Sequence, residues 1–371
     1  MRRLLISALI VLLCYVSYSQ AQESKSVFVG TFTSEGAEGI YLCKFDPETG
    51  NLSHSKVFKG IDNPNFLRIS PCGRYLFAVI RNPIAVDPSG GSVAAYRIAA
   101  NGDIEFINKQ SAQGNDPCYV DVSPDGKWVA IANYGGGSVA LYPVGPGGVL
   151  SPASSLIKHQ GSGPNAARQQ APHAHSIRFS GDGKTLRAAD LGTDQLLIYR
   201  LDATAGTLSP GKQPFVALPP GAGPRHFTLT SGEDYIYVAN ELNSTVSVLE
   251  NNDGVFNVIQ TVSTLPAGYT GTSYCADIHL SPDNKFVYVS NRGHQSIAVL
   301  SRDSDGKLTP VTHVSVEGDW PRNFTLDPSG KYMLVANQRS HNIAVFELRN
   351  GIPVFTGNQI KIPAPVCLDF L

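Results

Sequence analysis

The sequence predicts an all-β chain folded as a seven-bladed β-propeller of four-stranded antiparallel blades. Three observations carry the prediction: a block that recurs along the whole chain, the spacing of its copies, and an incomplete copy at each end. The block reads Ser-Pro-Cys-Gly-Arg-Tyr from 70, Ser-Pro-Asp-Gly-Lys-Trp from 123, Ser-Gly-Asp-Gly-Lys-Thr from 180, Ser-Gly-Glu-Asp-Tyr from 231, Ser-Pro-Asp-Asn-Lys-Phe from 281 and Asp-Pro-Ser-Gly-Lys-Tyr from 327. Copies lie about 46 to 57 residues apart, the length of one blade rather than of a helical repeat.

Each copy has the same grammar. An alternating apolar run such as Phe66 to Ile69 forms a first strand, and the Pro-Asp-Gly step turns it into a second, β-rich run. A third run follows, as at Ser138 to Tyr142, and a weaker fourth, as at Asp103 to Ile107. No stretch after the N-terminal segment has the period of a long amphipathic helix. Six units are complete. Val27 to Phe32 matches a second strand without its first, and Pro365 to Phe370 matches a first strand without its second. Joined, they make a seventh blade and close the ring, leaving no exposed edge.

Composition sets the class and the compartment. In 371 residues, 42% are hydrophobic and only 16% charged, with 36 Gly and 25 Pro, which suits a turn-rich chain with a large core. A formal net charge of −1 gives no electrostatic case for a nucleic-acid partner or an anionic membrane surface. Met1-Arg2-Arg3, the apolar run Leu4 to Val16 and the small-residue site Ser19-Gln20-Ala21 read as a secretory signal peptide over 1–21, followed by one domain over 22–371. The run is short for a membrane span. Leu13 before Cys14 lacks the small side chain of a lipoprotein cleavage site, so the expected product is exported and soluble, periplasmic or secreted. Cys43, Cys72, Cys118, Cys275 and Cys367 then remain, without CxxC spacing; buried free thiols are favoured over a metal site, and a Cys43–Cys72 pair stays open.

The repeat also serves as a control, because residues common to all copies are explained by folding one blade. Asn133, Asp190, Asn240, Asn291 and Asn337 end the second strand in five copies and read as turn-forming side chains. Departures gather at two places. One is the start of the first strand: Asn65, Cys118, His175, Arg225, Ala276, Arg322 and Val366. The other is just past the second: Tyr134, Leu191, Glu241, Arg292 and Gln338. Antiparallel neighbours bring these two places to one end of the blade, hence to one mouth of the central channel. The groups at that mouth are His173 and His175, Arg225 and His226, Glu241, Arg292, Arg322 and Asn323, and Gln338, Arg339 and His341. A single His or Arg at a strand end is ordinarily a solvated surface residue. Several converging from consecutive blades suit an anionic, oxygen-rich substrate and acid–base chemistry on it.

These residues resemble the seven-bladed β-propeller lactonases, which include propeller-type 6-phosphogluconolactonases and carboxy-cis,cis-muconate cyclases. The resemblance runs from Val29-Gly30-Thr31 to Pro365-Val366-Cys367. Its most specific parts are Gly161 to Asn165 with Arg168-Gln169 leading into Pro172 to His175, then Asp190 to Asp194, Gly223 to His226, Asn240 to Ser244 and Asn337 to Asn342. It implies metal-independent hydrolysis of a sugar lactone without a cofactor; the alternatives are a lactone-forming cycloisomerase and a non-catalytic binding propeller. It also implies catalytic roles at His175 (or His173), Arg225, Glu241 and Arg292. On this reading Glu241 or His175 takes a proton from water, and Arg225 with Arg292 stabilises the oxyanion. Arg322, Asn323, Arg339, His341, Gln338, His226 and His173 are the substrate-binding candidates. A Gly-x-Ser-x-Gly nucleophile does not accompany these groups, and the mouth lacks the acidic cluster a calcium ion needs. The Gly-, Ser- and Pro-rich stretch from Gly145 to Ala171 is expected to be a long loop over the same mouth, bringing Arg168 to the substrate. An exported chain does not meet a phosphorylated sugar lactone of central metabolism, which leaves the physiological substrate open.

Overall fold

The computed structural model describes residues 24–371 apart from 83–87 and 89; the signal-peptide expectation over 1–21 lies outside the described residues. Seven four-stranded antiparallel sheets stand around an axis. Blade I combines Pro365–Phe370, Lys25–Thr31, Gly39–Phe45 and Leu52–Lys59 from inside to outside, with Val27 opposite Phe370 and Gly30 opposite Cys367. Blades II to VII follow in chain order, their inner strands being Pro64–Ile69, Pro117–Val122, Ala174–Phe179, Pro224–Leu229, Tyr274–Leu280 and Pro321–Leu326. The two termini thus close the ring as expected.

The turn residues form as their chemistry dictates. In blade III the Ser123 hydroxyl donates to Asp125 (2.6 Å) and accepts from the Trp128 amide (3.0 Å), while Gly126 takes a φ of 71°. Ser180 with Asp182 and Ser281 with Asp283 repeat the pattern. The aromatic residue that follows the turn in most copies packs between blades. Phe286 lies against the outer turn of blade VII, where Gly351 has a φ of 81° and a Cβ would stand 2.1 Å from the ring. Gly306 meets Tyr235 in the same way, so these turns require glycine both for conformation and for space. Between the sheets the apolar faces interdigitate: Tyr237, Val248, Ile278 and Val289 in one cluster, Phe28, Leu67, Phe77 and Val120 in another.

Two expectations need correction. The stretch 145–171 is not one loop: it holds a 3-10 turn at Pro146–Gly148 and the outer strand of blade III, Ser155–Lys158, so only 159–173 crosses the mouth. The strand-ending Asn side chains also do more than shape turns. Asn133, Asn291 and Asn337 are fully buried and donate to the carbonyls of Ala112, Thr264 and Val316, each just past the outer strand of the preceding blade. They tie blade to blade, and only Asp190 accepts from the amides of its own turn, Gly192 and Thr193. All five described cysteines are free; Cys72 is exposed and the others are buried, so Cys43 and Cys72 are not joined.

Candidate active site

The inner strands explain why unlike residues meet at one mouth. In blades II, III, IV, V and VII the pairing of inner and second strands skips one residue: Asn65, Cys118, His175, Arg225 and Arg322 respectively. In blade VI it skips Ala276 and Asp277. A bulge frees a side chain from the alternation of the strand and re-aims it. Here the bulged residues are the ones that break the repeat.

Together with residues just past the second strands they enclose a chamber of about 300 Å³ lined by Cys118, His175 and Arg322, by Arg81, Tyr134, Glu241 and Arg292, and by Arg168, Tyr274 and Trp320. His175 and Glu241 face the same empty volume. Arg225 does not: it is fully buried behind Glu241, donating to the Ala276 carbonyl and, at 3.2 Å, to His226 Nε2.

Glu241 is the centre of charge. Arg168 Nη2 donates to its Oε1 at 2.7 Å, and Arg292 Nη2 and Arg225 Nε lie 2.8 and 3.1 Å from Oε2. Burial alone would raise the pKa of this carboxylate, but the fields of Arg292, Arg225 and Arg168 outweigh it and hold the group at about 2. His175 is affected oppositely. Burial first, then Arg225, His226 and Arg322, push its pKa well below the usual imidazole value, so the ring is neutral near pH 7. Its Nδ1 lies 3.8 Å from Cys118 Sγ, its ring packs edge-on to Tyr134, and its Nε2 has no partner among the described residues.

Arg322 is the exception among the cations. It forms no hydrogen bond or ion pair among the described residues and rests over the Phe32 ring, 5.3 Å from its centroid. Burial, with repulsion from Arg225, Arg292 and Arg81, lowers its pKa well below the usual guanidinium value. Arg81, by contrast, pairs with Asp116 at 2.7 and 2.9 Å. Arg322 and Arg81 also line a larger, open cavity of about 900 Å³ with Glu35, Asp62, Asn115 and Gln338, so the chamber continues toward blades I and II.

The segment 159–173 brings Arg168 in as expected: its Nη2 also donates to the Tyr134 hydroxyl, at 3.2 Å. Two buried anchors hold the segment. Gln169 donates to the Leu191 carbonyl and to Asp194, and His159 bridges Asp190 (2.5 Å) and the Tyr199 hydroxyl (2.8 Å).

Several candidates do not reach the chamber. His173 stacks on the far side of Tyr134 and is tied by Nδ1 to the Tyr134 carbonyl, 2.9 Å away. His226 and Asn323 are buried further down the axis, both bonded to Asp277. Gln338 donates to Glu35 in the larger cavity, and Arg339 stacks on the outside of Trp320 at 3.4 Å. His341 sits in the exposed turn at the end of its blade, accepting from the Ala364 amide. Phe32 and Arg81 were missed although they occupy the position of Glu241 in blades I and II. Their second strands end in Thr31 and Ile80, without the Asn or Asp that precedes this position in the other blades. Among the described residues, no group of three or more His, Cys, Asp or Glu side chains could hold a metal ion, and no helix is long and apolar enough to cross a membrane.

Comparison with known proteins agrees with this geometry. Residues 26–370 match the family model described as "Lactonase, 7-bladed beta-propeller". Over 350 residues the chain is 38% identical to the 6-phosphogluconolactonase of Bacillus subtilis, covering 93% of this chain and 97% of the relative. It is 34% identical to that of Formosa agariphila, covering 92% and 97%. The solved structure of the Pseudomonas aeruginosa periplasmic gluconolactonase superposes with a TM-score of 0.89 at 32% identity, covering 94% of this chain and 99% of that one. The chain belongs to the seven-bladed β-propeller lactonase family.

Proposed function

We propose that this protein hydrolyses an anionic sugar lactone, with 6-phosphogluconolactone as the reference substrate, in the chamber between His175, Glu241 and Arg292. The observation that carries the anionic character is Arg322, a guanidinium without an ion pair on the chamber wall. A half-buried cation left among like charges is poorly compensated unless a ligand supplies the missing anion, and a phosphate or carboxylate on the sugar does so.

His175 is the base. Glu241 is a poor one, because its Oε1 accepts from Arg168 and its Oε2 lies 2.8 Å from Arg292 and 3.1 Å from Arg225, so three guanidiniums stand between the carboxylate and a water. The neutral His175 ring lines the chamber and its Nε2 has no partner among the described residues. It takes a proton from water as the oxygen attacks the lactone carbonyl, and Arg292 stabilises the negative charge that develops on the carbonyl oxygen. The imidazolium so formed then returns its proton to the ring oxygen as the C–O bond breaks, giving the open-chain acid and restoring the neutral ring. Glu241 fixes the positions of Arg168, Arg225 and Arg292. The 1–21 segment supports export, and the likeness to a periplasmic gluconolactonase favours the periplasm.

The test is hydrolysis of 6-phosphogluconolactone, glucarolactone and gluconolactone by purified protein, with the spontaneous rate subtracted. The expected result is turnover with kcat/KM about tenfold or more in favour of a lactone carrying phosphate or carboxylate, the worth of one charged hydrogen bond or more. Equal rates on gluconolactone would remove the anion from the proposal. No rate above background on any of the three would overturn it.

A further inference from the structure

The axis below the chamber holds a chain of buried polar groups that lactone chemistry does not touch. His226 and Asp277 stand one step down from the mouth on the inner strands of blades V and VI, and both are buried. His226 Nδ1 lies 2.8 Å from Asp277 Oδ1, and its Nε2 lies 3.2 Å from Arg225 Nη1. Only one proton arrangement satisfies both contacts. A guanidinium only donates and a carboxylate only accepts, so His226 is neutral, with its proton on Nδ1 and its Nε2 accepting. We propose that Asp277 and His226 are positioning residues that aim the Arg225 guanidinium at Glu241, and so set the carboxylate around which Arg168 and Arg292 gather. The proposal rests on the lactonase reading of the chamber.

The surroundings fix Asp277 in turn. Its Oδ1 accepts from the Ile278 amide (3.0 Å), and its Oδ2 accepts from His279 Nε2 (3.1 Å), from Asn323 Nδ2 and from the Phe324 amide (3.3 Å). The faces of His226 are closed by Phe66, Tyr119 and His175, each edge-on to it. Burial and Arg225 push the His226 pKa to about 4 against the opposing pull of Asp277, in accord with a neutral ring. A cationic ring there would confront Arg225 directly and push it off the Glu241 carboxylate. Asp277 does for His226 what a buried carboxylate does for any oriented imidazole: it selects the tautomer. Through it, Asn323 belongs to the support of the site and not to its wall.

The experiment has two arms. Nitrogen-15 NMR of histidine-labelled protein at pH 7 should show His226 as the neutral Nδ1–H tautomer in the wild type and lose that state in Asp277→Asn. This arm is independent of turnover, so it decides the tautomer even if none of the lactones is hydrolysed. With the best lactone, Asp277→Asn and His226→Phe should lower kcat about tenfold or more with KM within about threefold. His226→Gln should stay within about threefold of wild type, because its amide can accept from Arg225 and donate to Asp277 at once. If Asp277→Asn fails to fold, the contrast between His226→Gln and His226→Phe carries the kinetic arm. An Nε2–H or cationic His226 in the wild type, or wild-type kcat in His226→Phe, would overturn the proposal.

Discussion

Replacing Arg322 with Met should stabilise the protein while disabling its recognition of the anion. The guanidinium lies on the chamber wall with Arg81 and Arg292, and the field of Arg225 also opposes it; against these stand the attraction of Glu241 and the Phe32 ring at 5.3 Å. Methionine keeps the apolar reach over Phe32 and removes the charge. Arg322 is half-buried, so exchanging this poorly compensated charge for an apolar side chain gains no more than the low end of the about 1–4 kcal/mol seen for buried charges, and loss of the cation–π contact gives back about 0.5 kcal/mol. The net is about 1 kcal/mol or less, a rise in Tm of about 1–2 °C for a chain of this size. The same change removes charged hydrogen bonds to the substrate worth about 1.5–3 kcal/mol, or about 10- to 150-fold in kcat/KM. Gluconolactone, which offers no anion, should change by less than about threefold. Calorimetry and a pH-stat assay of acid release on the two lactones read both effects. A variant that melts lower than wild type, or that loses equally on both substrates, would refute the reasoning.

Glu241→Gln leaves three guanidiniums around a neutral amide; breaking such a buried pair costs about 3–5 kcal/mol, so Tm should fall by about 5 °C or more together with kcat. Because the folded pKa of Glu241 is depressed to about 2, its stabilisation is present above the unfolded value near 4.5 and is lost as pH falls toward 2; acid unfolding of Glu241→Gln should accordingly be shallower over that window. Arg168→Ala removes the contacts of the 159–173 segment with Glu241 and Tyr134, and steady-state kinetics should show KM raised more than kcat is lowered. Gly351→Ala puts a Cβ at a φ of 81° and 2.1 Å from the Phe286 ring, and denaturant unfolding should show a loss of about 2 kcal/mol or more with kcat unchanged.

The fold was legible because its signals are local and repeated. Each Ser-Pro-Asp-Gly turn announces a hairpin, and the half-units at Val27 to Phe32 and Pro365 to Phe370 announce their partner. Ser155–Lys158 escaped because four residues in a Gly- and Pro-rich stretch carry too little alternation to mark a strand. In sequence the Asn side chains look like turn formers because their acceptors, Ala112, Thr264 and Val316, belong to other blades and to distant sequence. Departures from the repeat mark the mouth, where His175, Glu241, Arg292 and Arg322 line one chamber, and the long connection before His173 brings Arg168 to it. What sequence could not provide was depth along the axis. A bulge is an irregularity of pairing, so neither the burial of Arg225 and His226 nor the place of Asp277 beneath them follows from the residue order. His341 and Arg339 were drawn in by proximity in sequence to Gln338, although their turn faces outward.

The central claim is that His175 supplies the base for lactone hydrolysis in this chamber, and His175→Asn tests it most directly. Single-turnover and steady-state hydrolysis of the best lactone, with spontaneous opening subtracted, should show kcat lower by about a hundredfold or more with KM within about threefold, the loss expected for a general base. The wild-type acid limb of kcat/KM should lie well below pH 6.5. An unchanged kcat in His175→Asn, in a protein that melts like wild type, would contradict the account.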